Sequence, residues 1–314
     1  MTMTADSLAG RNVVVTGGRG FLGRHVARAL SGRGALVQAV GRGDYDLTHQ
    51  DEVRRMIYEM RPAVLVHAGA AVGGIGANVA NPGKFLYENA VMGLMLLEEV
   101  RLANVDKLVL ISTTCAYPQD APLPLREDDM WSGPPTGATG PYGMAKRLLH
   151  EACATYARQY GTQSAVLVLA NLYGPEDNFE PETGHVIPAL IRRYVEATEA
   201  NVPALTNWGS GRATREFLHV ADAAEAVVLA VATPTESHPM NIGTGEETSI
   251  RELAAMVGDA VGYQGDVRWD TSKPEGQPRR YLDVSRAREE LGFAAHVPLD
   301  AGIKETVDWY LSNR

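Results

Sequence analysis

The chain has 314 residues, of which 45% are hydrophobic and 21% are charged, and its formal net charge is -9. This length suits one large domain or two modest ones. The negative charge disfavours nucleic acid as a partner but permits a small anionic ligand wherever arginines cluster. The two cysteines are too few for a disulfide framework and have no zinc-binding spacing, so we expect no metal site and a reducing, cytoplasmic location. The start of the chain lacks a basic and apolar leader, and no run reaches the roughly 20 apolar residues of a membrane span, so we expect no membrane partner.

The first half of the chain repeats a short apolar run, a turn that contains glycine, and a longer segment with helical spacing of its apolar residues. The predicted strands are NVVVTG, ALVQAV, AVLVHAG, KLVLIST and SAVLVLAN. Their lack of polar alternation is typical of parallel strands that are buried on both faces. Strands of this kind in alternation with helices predict an α/β fold with a Rossmann-like, doubly wound parallel sheet.

The composition changes after Asn171, where proline, glycine and charged residues precede the helix-like segment ALIRRYVEATEA. The segment REFLHVADAAEAVVLAV then returns to strand and helix, and Ser249 with Glu252 forms a helix-capping sequence further on. We therefore predict a nucleotide-binding domain and a smaller C-terminal substrate domain. The first comprises residues 1–170 plus about 216–240, and the second comprises residues 171–215 plus about 241–314.

A glycine-rich turn separates the first predicted strand from the first predicted helix in VVVTGGRGFLGRHVARAL. Gly17, Gly20 and Gly23 permit a tight turn, a close approach of the backbone to a pyrophosphate, and close packing of helix on strand. The phosphates would lie at the N-terminus of the helix. The strand before and the helix after the turn indicate a dinucleotide site. The residues expected to bind the cofactor are Gly17, Arg19, Gly20, Phe21, Leu22, Gly23, Arg42, Asp46 and Ala68.

The end of the second predicted strand, AVGRGDYDL, indicates which dinucleotide is bound. Arg42 lies at or next to the position where NAD-preferring proteins place an acidic residue on the ribose. Arg42 and Arg19 would clasp a 2'-phosphate between two guanidinium groups. The sequence therefore favours NADP(H), although Asp44 keeps NAD open, and Asp46 is better placed to meet the adenine side.

The segment GPYGMAKRLLHEACATYARQYG predicts a long amphipathic helix. Tyr142 and Lys146 are four residues apart and share one face of this helix. An ammonium group near a phenol favours the phenolate, so we expect Lys146 to lower the pKa of Tyr142. A hydroxyl from Thr113 or Ser112, at the end of the KLVLIST strand, would donate a hydrogen bond to the substrate oxygen that Tyr142 also contacts. This combination indicates a site at which Tyr142 exchanges a proton with the substrate.

Together these motifs resemble the extended short-chain dehydrogenase/reductase superfamily. The resemblance implies that Thr113 supplies the hydroxyl, that Tyr142 is the acid/base, and that Lys146 holds the nicotinamide ribose. The superfamily mostly acts on nucleotide sugars, which the C-terminal domain binds. Its sugar 4,6-dehydratases have Asp-Glu after the hydroxyl residue, whereas this chain has Thr114 and Cys115. Dehydration is therefore disfavoured.

Longer blocks resemble the GDP-L-fucose synthase family of dual epimerase/reductases. These blocks are STTCAYP, AVGGIGANVANPGKFLYEN, NLYGPEDNFEPETGHVIPALIRR, WGSGRATREFLHV and SKPEGQPRRYLDVSR. The resemblance implies that Cys115 and His185 are the acid/base pair for epimerisation of GDP-4-keto-6-deoxy-D-mannose at C3 and C5. It further implies reduction at C4 by NADPH, a product that is GDP-L-fucose or a close relative, and a homodimer formed through two helices of the sheet domain.

A GDP-sugar needs cations for its diphosphate and an apolar or aromatic surface for its base. The residues predicted to bind the substrate are Asn171, Arg193, Trp208, Arg215 and Lys273, with Arg192 competing with its neighbour. Two positions depart from the family pattern. Thr113 stands where serine is common, and Ala71 replaces a basic residue near the sugar pocket.

Three alternatives stay open at this stage. One is a nucleotide-sugar 3,5-epimerase without net reduction, similar to GDP-mannose 3,5-epimerase, which also has a cysteine after the strand-end hydroxyls. Another is a 4-ketoreductase of a different NDP-deoxysugar. The third is a cofactor-sensing protein without turnover, which would dispense with Tyr142, Lys146 and Cys115, yet all three are present. Cys153, in the middle of the long helix, is expected to be inert packing.

Overall fold

The computed structural model of the protein describes residues 8–180, 184–273 and 277–314. The strands are β1 (Asn12–Thr16), β2 (Leu36–Val40), β3 (Val64–His67), β4 (Lys107–Thr113), β5 (Ser164–Leu169), β6 (Asn171–Tyr173), β7 (Ala204–Trp208), β8 (Thr214–Arg215), β9 (Phe217–His219), β10 (Pro239–Ile242), β11 (Thr248–Ser249) and β12 (Asp266–Asp270). The helices are α1 (Phe21–Gly32), α2 (Gln50–Met60), α3 (Ile75–Ala80), α4 (Pro82–Leu102), α5 (Gly140–Tyr160), α6 (Val186–Glu199), α7 (Val220–Ala232), α8 (Ile250–Val261), α9 (Ser285–Leu291) and α10 (Leu299–Asn313).

The largest sheet has six parallel strands in the order β2-β1-β3-β4-β5-β10. This sheet confirms the predicted α/β, Rossmann-like class, and the strands predicted from apolar runs are β1 to β5. The order reverses at β1, which pairs with β2 on one side and β3 on the other. In open α/β sheets a ligand crevice forms at such a reversal, outside the carboxyl ends of the strands.

Both faces of the central strands of this sheet are buried, which explains their missing polar alternation. Val13 and Val15 of β1 enter an apolar cluster with α1 and α7, whereas Val14 enters a second cluster with α2, α4 and α5. Each of these three valines is 0% exposed. Burying one such side chain stabilises the fold by roughly 1.5–3 kcal/mol. The covering helices therefore fix the strand ends, where the candidate site lies.

A third apolar cluster lies in the C-terminal part of the chain. It joins Ile191 of α6, Leu253 of α8 and Ile303 of α10, all 0% exposed. Helix α8 begins with the capping box that the sequence indicated, formed by Ser249 and Glu252. The domain boundaries stay a prediction, and the one placed near residue 240 falls inside β10, an edge strand of the main sheet. None of the described helices has both the length and the apolar character that crossing a membrane requires.

Candidate functional site

The glycine turn lies in the crevice between the ends of β1 and β3. Gly17 has a φ of 67°, and a Cβ atom there would lie 2.6 Å from the backbone nitrogen of Gly69, in the loop after β3. A Cβ atom on Gly23 would collide with the carbonyl oxygen of Gly17. Glycine is therefore required at both positions for the turn to fold back on α1. The first residues of α1 consequently line the crevice.

A cavity of ≈ 470 Å³ follows this crevice. The structure brings all but one of the predicted cofactor residues to its wall, since only Lys146 lies elsewhere, in the adjoining cavity. The residues on the wall are Gly17, Arg19, Gly20, Phe21, Leu22, Gly23, Arg42, Asp46 and Ala68.

The two arginines at this cavity are exposed but held in place. The Arg19 side chain is 66% exposed, and its Nη2 lies 2.8 Å from Oδ1 of Asp44. The Arg42 side chain is 65% exposed and lies 3.3 Å from Asp46 and 3.6 Å from Glu88. Asp44 is therefore paired with a guanidinium, which removes the free carboxylate that an NAD ribose would need.

A second cavity of ≈ 310 Å³ continues from the first. The two share wall residues, namely Phe21, Leu22, Ala68, Ala70, Val72 and His185. The second cavity is also lined by Thr113, Tyr142, Lys146 and Asn171, which come from three different elements. We call the two cavities together the cleft. The predicted cofactor residues and most of the predicted catalytic residues therefore surround one continuous space.

Lys146 is held inside the wall of the cleft. Its side chain is buried, and Nζ donates a hydrogen bond of 2.9 Å to the carbonyl oxygen of Ile111. Burial lowers the pKa of Lys146 to about 8. Burial also raises the pKa of Tyr142, and the nearby Cys115 raises it further. The expected lowering of the Tyr142 pKa by Lys146 was therefore wrong, because Nζ lies 6.0 Å from the centre of the phenol ring and burial dominates.

The two hydroxyls at the end of β4 have different partners. Ser112 Oγ lies 2.6 Å from Nε2 of buried His150, whose Nδ1 lies 3.0 Å from the sulfur of Met130. A thioether only accepts, so Nδ1 carries the proton and Nε2 accepts from Ser112. Thr113 Oγ1 accepts a bond of 3.2 Å from the backbone of Cys115 and keeps its own hydrogen for another partner. This geometry favours Thr113 over Ser112 as the hydroxyl that binds substrate.

Cys115 lies in a short 3-10 turn, Thr114–Ala116, directly after β4. The turn packs so closely on α5 that a Cβ atom on Gly143 would overlap the carbonyl oxygen of Cys115. This contact holds Cys115 next to Tyr142, although Cys115 does not line either cavity. Cys115 is a partly exposed free thiol, whereas Cys153 is 1% exposed inside the second apolar cluster.

His185 precedes α6 and lies where the two cavities meet. Its side chain is 59% exposed, and Nδ1 lies 3.5 Å from Oδ1 of Asp177. The Asp177 carboxylate raises the pKa of His185 and outweighs the opposing effect of burial. The protonated imidazole is therefore more stable here than it would be without Asp177. Asp177 lies within one of the family-like blocks, where no sequence signal distinguishes it from its neighbours.

Four of the five predicted substrate residues divide between two places. Asn171 lines the second cavity and donates a bond of 2.8 Å to the carbonyl oxygen of Glu216. A second group lies on and beside β7, outside both cavities. There Arg193 donates to the carbonyl oxygen of Thr206 at 2.7 Å, and Lys273 Nζ lies 5.6 Å from the ring centre of Trp208. The Trp208 ring is free to meet a flat ligand, since the residue is 69% exposed.

Arg215 has a neighbour that sequence reasoning missed. Arg280 donates through Nη2 to the carbonyl oxygen of Thr114, next to Cys115, and its positive charge lowers the pKa of Arg215, which burial lowers more strongly. Neither guanidinium has an ion pair with a carboxylate in residues 8–180, 184–273 and 277–314. Arg279, which directly precedes Arg280 in the chain, is instead paired with Glu247. The only sequence signal was the double arginine in PRRYLD, which does not show which arginine turns inward.

Comparison with known proteins identifies the family. The model of the NAD dependent epimerase/dehydratase family matches residues 13–243. A probable GDP-L-fucose synthase 1 from Oryza sativa subsp. japonica is 38% identical over 306 residues, which cover 97% of this chain and 93% of the rice protein. The GDP-L-fucose synthase of Escherichia coli K12 is 38% identical over 315 residues, covering 97% of this chain and 98% of that protein. The chain belongs to the GDP-L-fucose synthase family.

The fold of this GDP-L-fucose synthase family member agrees with a solved relative. The crystal structure of a GDP-L-fucose synthetase from Naegleria fowleri bound to NADP has a TM-score of 0.88 and 27% identity, and the match covers 100% of this chain and 96% of that chain. The predicted resemblance to the extended short-chain dehydrogenase/reductase superfamily is therefore confirmed. Within the described ranges of this family member, no group of three or more His, Cys, Asp or Glu side chains is arranged to hold a metal ion.

Proposed function

We propose that the protein catalyses the NADPH-dependent 3,5-epimerisation and 4-keto reduction of a GDP-4-keto-6-deoxyhexose, giving GDP-L-fucose or a close relative. One observation carries this proposal. The residues Thr113, Tyr142 and Lys146 share a cleft with the imidazole of His185. The turn that carries the Cys115 thiol packs on α5 at Gly143, the residue after Tyr142. A simple ketoreductase needs neither the thiol nor the imidazole. The rice and Escherichia coli relatives, both called GDP-L-fucose synthases, support the same substrate.

The first cavity fits NADP(H). Its floor is a turn that a Cβ atom at Gly17 would disrupt, which leaves the backbone open to a pyrophosphate. Arg19 and Arg42 present exposed guanidiniums at its rim for a 2'-phosphate. Lys146, which lines the second cavity, would hold the nicotinamide ribose. When bound, NADPH supplies the hydride that reduces C4.

Epimerisation follows from the C4 ketone of the substrate, which acidifies the hydrogens on C3 and C5. At each carbon a base removes a proton from one face and an acid returns one to the other face. Because Asp177 raises the pKa of His185, we assign His185 as the acid and Cys115 as the base. Tyr142 and Thr113 would donate hydrogen bonds to the enolate oxygen at C4 and so stabilise it.

Reduction uses the same oxygen. Burial raises the pKa of Tyr142, so the phenol keeps its proton through the neutral range. Tyr142 would donate this proton to the alkoxide that forms at C4. The buried Lys146 is held by the carbonyl oxygen of Ile111, with Nζ 6.0 Å from the centre of the phenol ring, and its proposed role is at the nicotinamide ribose.

The nucleotide would extend from the cleft towards β7. We assign the diphosphate to Arg193, Arg215 and Lys273, and the base or sugar to the exposed ring of Trp208. Asn171 lines the second cavity, where it would bind the sugar. Arg192 is set aside because it is paired with Glu196 on the surface of α6.

Isotope exchange tests the proposed function. GDP-4-keto-6-deoxymannose and NADPH are supplied in heavy water, and cofactor absorbance is followed together with deuterium at C3 and C5. We expect one NADPH oxidised per product and deuterium at both carbons. Deuterium without oxidation would favour the epimerase that lacks net reduction, whereas oxidation without deuterium would favour a 4-ketoreductase. The absence of both NADPH oxidation and deuterium exchange would contradict the proposal.

The assignment of the two arginines predicts a change in cofactor preference. Replacing Arg19 and Arg42 together by Ala should weaken NADPH binding about 10- to 100-fold, since charge-assisted hydrogen bonds contribute about 1.5–3 kcal/mol. NADH binding should change much less, because NADH lacks the 2'-phosphate. Titration calorimetry with both cofactors measures the difference. Arg33→Ala is the control, since Arg33 is paired with Glu225 away from the cavity, and equal losses for NADPH and NADH would contradict the assignment.

We infer a homodimer that forms through α4 and α5. The two helices pack side by side, and their outer surface exposes Leu94 (36%), Met144 (41%) and Leu148 (45%). Leu148→Glu should shift the mass measured by light scattering from two chains to one, because a charge would enter the apolar interface. Leu311→Glu is the matched control, as Leu311 is 44% exposed on α10. A single-chain mass for the wild-type protein would overturn the inference.

We also propose that the protein acts in the cytoplasm. Its chemistry needs Cys115 as a free thiol, and both cysteines of the chain are free. A reducing compartment keeps thiols in this form. Cell fractionation followed by thiol labelling of Cys115 tests this location.

A further inference from the structure

Asp177 is a buried carboxylate that the chemistry above does not place at the substrate. The residue is 6% exposed, and its side chain is 1% exposed. Oδ1 accepts a hydrogen bond of 2.7 Å from the backbone of Asn178, and Oδ2 has no hydrogen-bond partner among the described residues. Burying a carboxylate with an unpartnered oxygen costs free energy. We therefore expect the carboxylate to pair with a positively charged group nearby.

That charge is the imidazolium of His185. Nδ1 of His185 lies 3.5 Å from Oδ1 of Asp177, and Asp177 is the only charged group among the described residues that shifts the His185 pKa. A carboxylate oxygen only accepts hydrogen bonds, so the ring nitrogen that faces it is the one that carries hydrogen. Nε2 is then left as the nitrogen that faces the cleft.

The loop that carries Asp177 is anchored to α1, the helix that begins at the glycine turn. Gly174 has a φ of 147°, and a Cβ atom there would lie 2.6 Å from Val220. Glu176 lies 3.2 Å from Arg24 and 2.6 Å from Arg28, both on α1. The carboxylate of Asp177 is thus fixed relative to the helix that begins at the glycine turn.

We propose that Asp177 is a positioning residue: it holds the His185 ring with Nδ1–H towards the carboxylate and Nε2 towards the sugar, and it keeps the imidazole protonated until it gives its proton to carbon. This inference rests on the proposed function for the identity of the substrate. The pairing itself does not depend on turnover.

The first test needs no substrate. In the NMR titration of His185, assigned with His185→Gln, Asp177→Asn should move the midpoint to lower pH by about 1 pH unit, because an opposite charge is lost at nearly constant shape. Glu176→Gln is the matched control, since this neighbouring carboxylate contacts the arginines of α1 instead. An unchanged midpoint in Asp177→Asn would overturn the proposal.

The wild-type protein provides a second test that does not require the variant to fold. Nitrogen chemical shifts of neutral His185 should show hydrogen on Nδ1 and none on Nε2. The reverse tautomer would overturn the proposal.

The third test follows deuterium exchange at C3 and C5. Asp177→Asn should slow exchange about 10- to 100-fold and leave NADPH affinity unchanged. The alkaline limb of the exchange profile should move to lower pH, because His185 loses its proton sooner. A shifted titration without turnover in the wild type would contradict the proposed function but support the pairing. Wild-type turnover with an unshifted titration would contradict the pairing alone.

Discussion

Tyr142→Phe is expected to lower the rate of NADPH oxidation by about 10²- to 10⁴-fold, the range that a positioned general acid contributes. The phenol borders the second cavity and burial raises its pKa, so in the proposed function it is the group that would give a proton to the alkoxide at C4. Stopped-flow absorbance at saturating sugar and cofactor measures the loss.

The matched control is Tyr160→Phe, at the far end of the same helix, where the residue is 48% exposed. NADPH affinity should stay the same in both variants. Deuterium exchange at C3 and C5 should fall less than reduction in Tyr142→Phe, because Thr113 still donates to the enolate oxygen. An unchanged oxidation rate in Tyr142→Phe would remove the phenol from the reaction.

Cys115→Ser is expected to suppress deuterium exchange at C3 and C5 by about 10²- to 10⁴-fold while NADPH oxidation persists. A serine hydroxyl has nearly the size of the thiol but is a far weaker base at neutral pH. The reduced sugar should keep the configuration of the substrate at C3 and C5. Mass spectrometry of the product and NMR of its sugar measure exchange and configuration.

The control for the thiol is Cys153→Ala. Cys153 is buried in the second apolar cluster and should affect only stability, by about 1 kcal/mol. Cofactor affinity should be equal in all three proteins. If Cys115→Ser weakened NADPH binding as much as it slowed exchange, Cys115 would have a structural role in the turn after β4.

The glycine turn and the main sheet were predictable because their signals are local. Gly23 must be glycine because a Cβ atom there would collide with Gly17 in the same turn, and Gly17 itself has a positive φ of 67° that favours glycine. The apolar strands lack alternation because both faces are covered, and this follows from the strand period of two. The shared helical face of Tyr142 and Lys146 likewise follows from four-residue spacing.

The electrostatics of the site could not be predicted in the same way. The sequence pattern placed a lysine near a phenol and predicted a lower pKa for Tyr142, but the pKa is raised. The sign depends on how much water both groups lose, and that is set by the packing of α5 on the strand ends. Asp177 was missed for the same reason, since its effect on His185 requires a loop geometry that spacing does not encode.

The sequence by itself determined the fold class, the dinucleotide turn and the shared helical face of Tyr142 and Lys146, because each of these leaves a local pattern in the sequence. Only the tertiary structure separated the partners of adjacent polar residues. Ser112 contacts His150, whereas Thr113 keeps its own hydrogen. Arg280 turns towards Thr114, whereas Arg279 pairs with Glu247. Neighbouring side chains point in different directions, and which direction meets the cleft depends on elements that are far apart in sequence. The approach of His185 to Asp177 is decided in the same way.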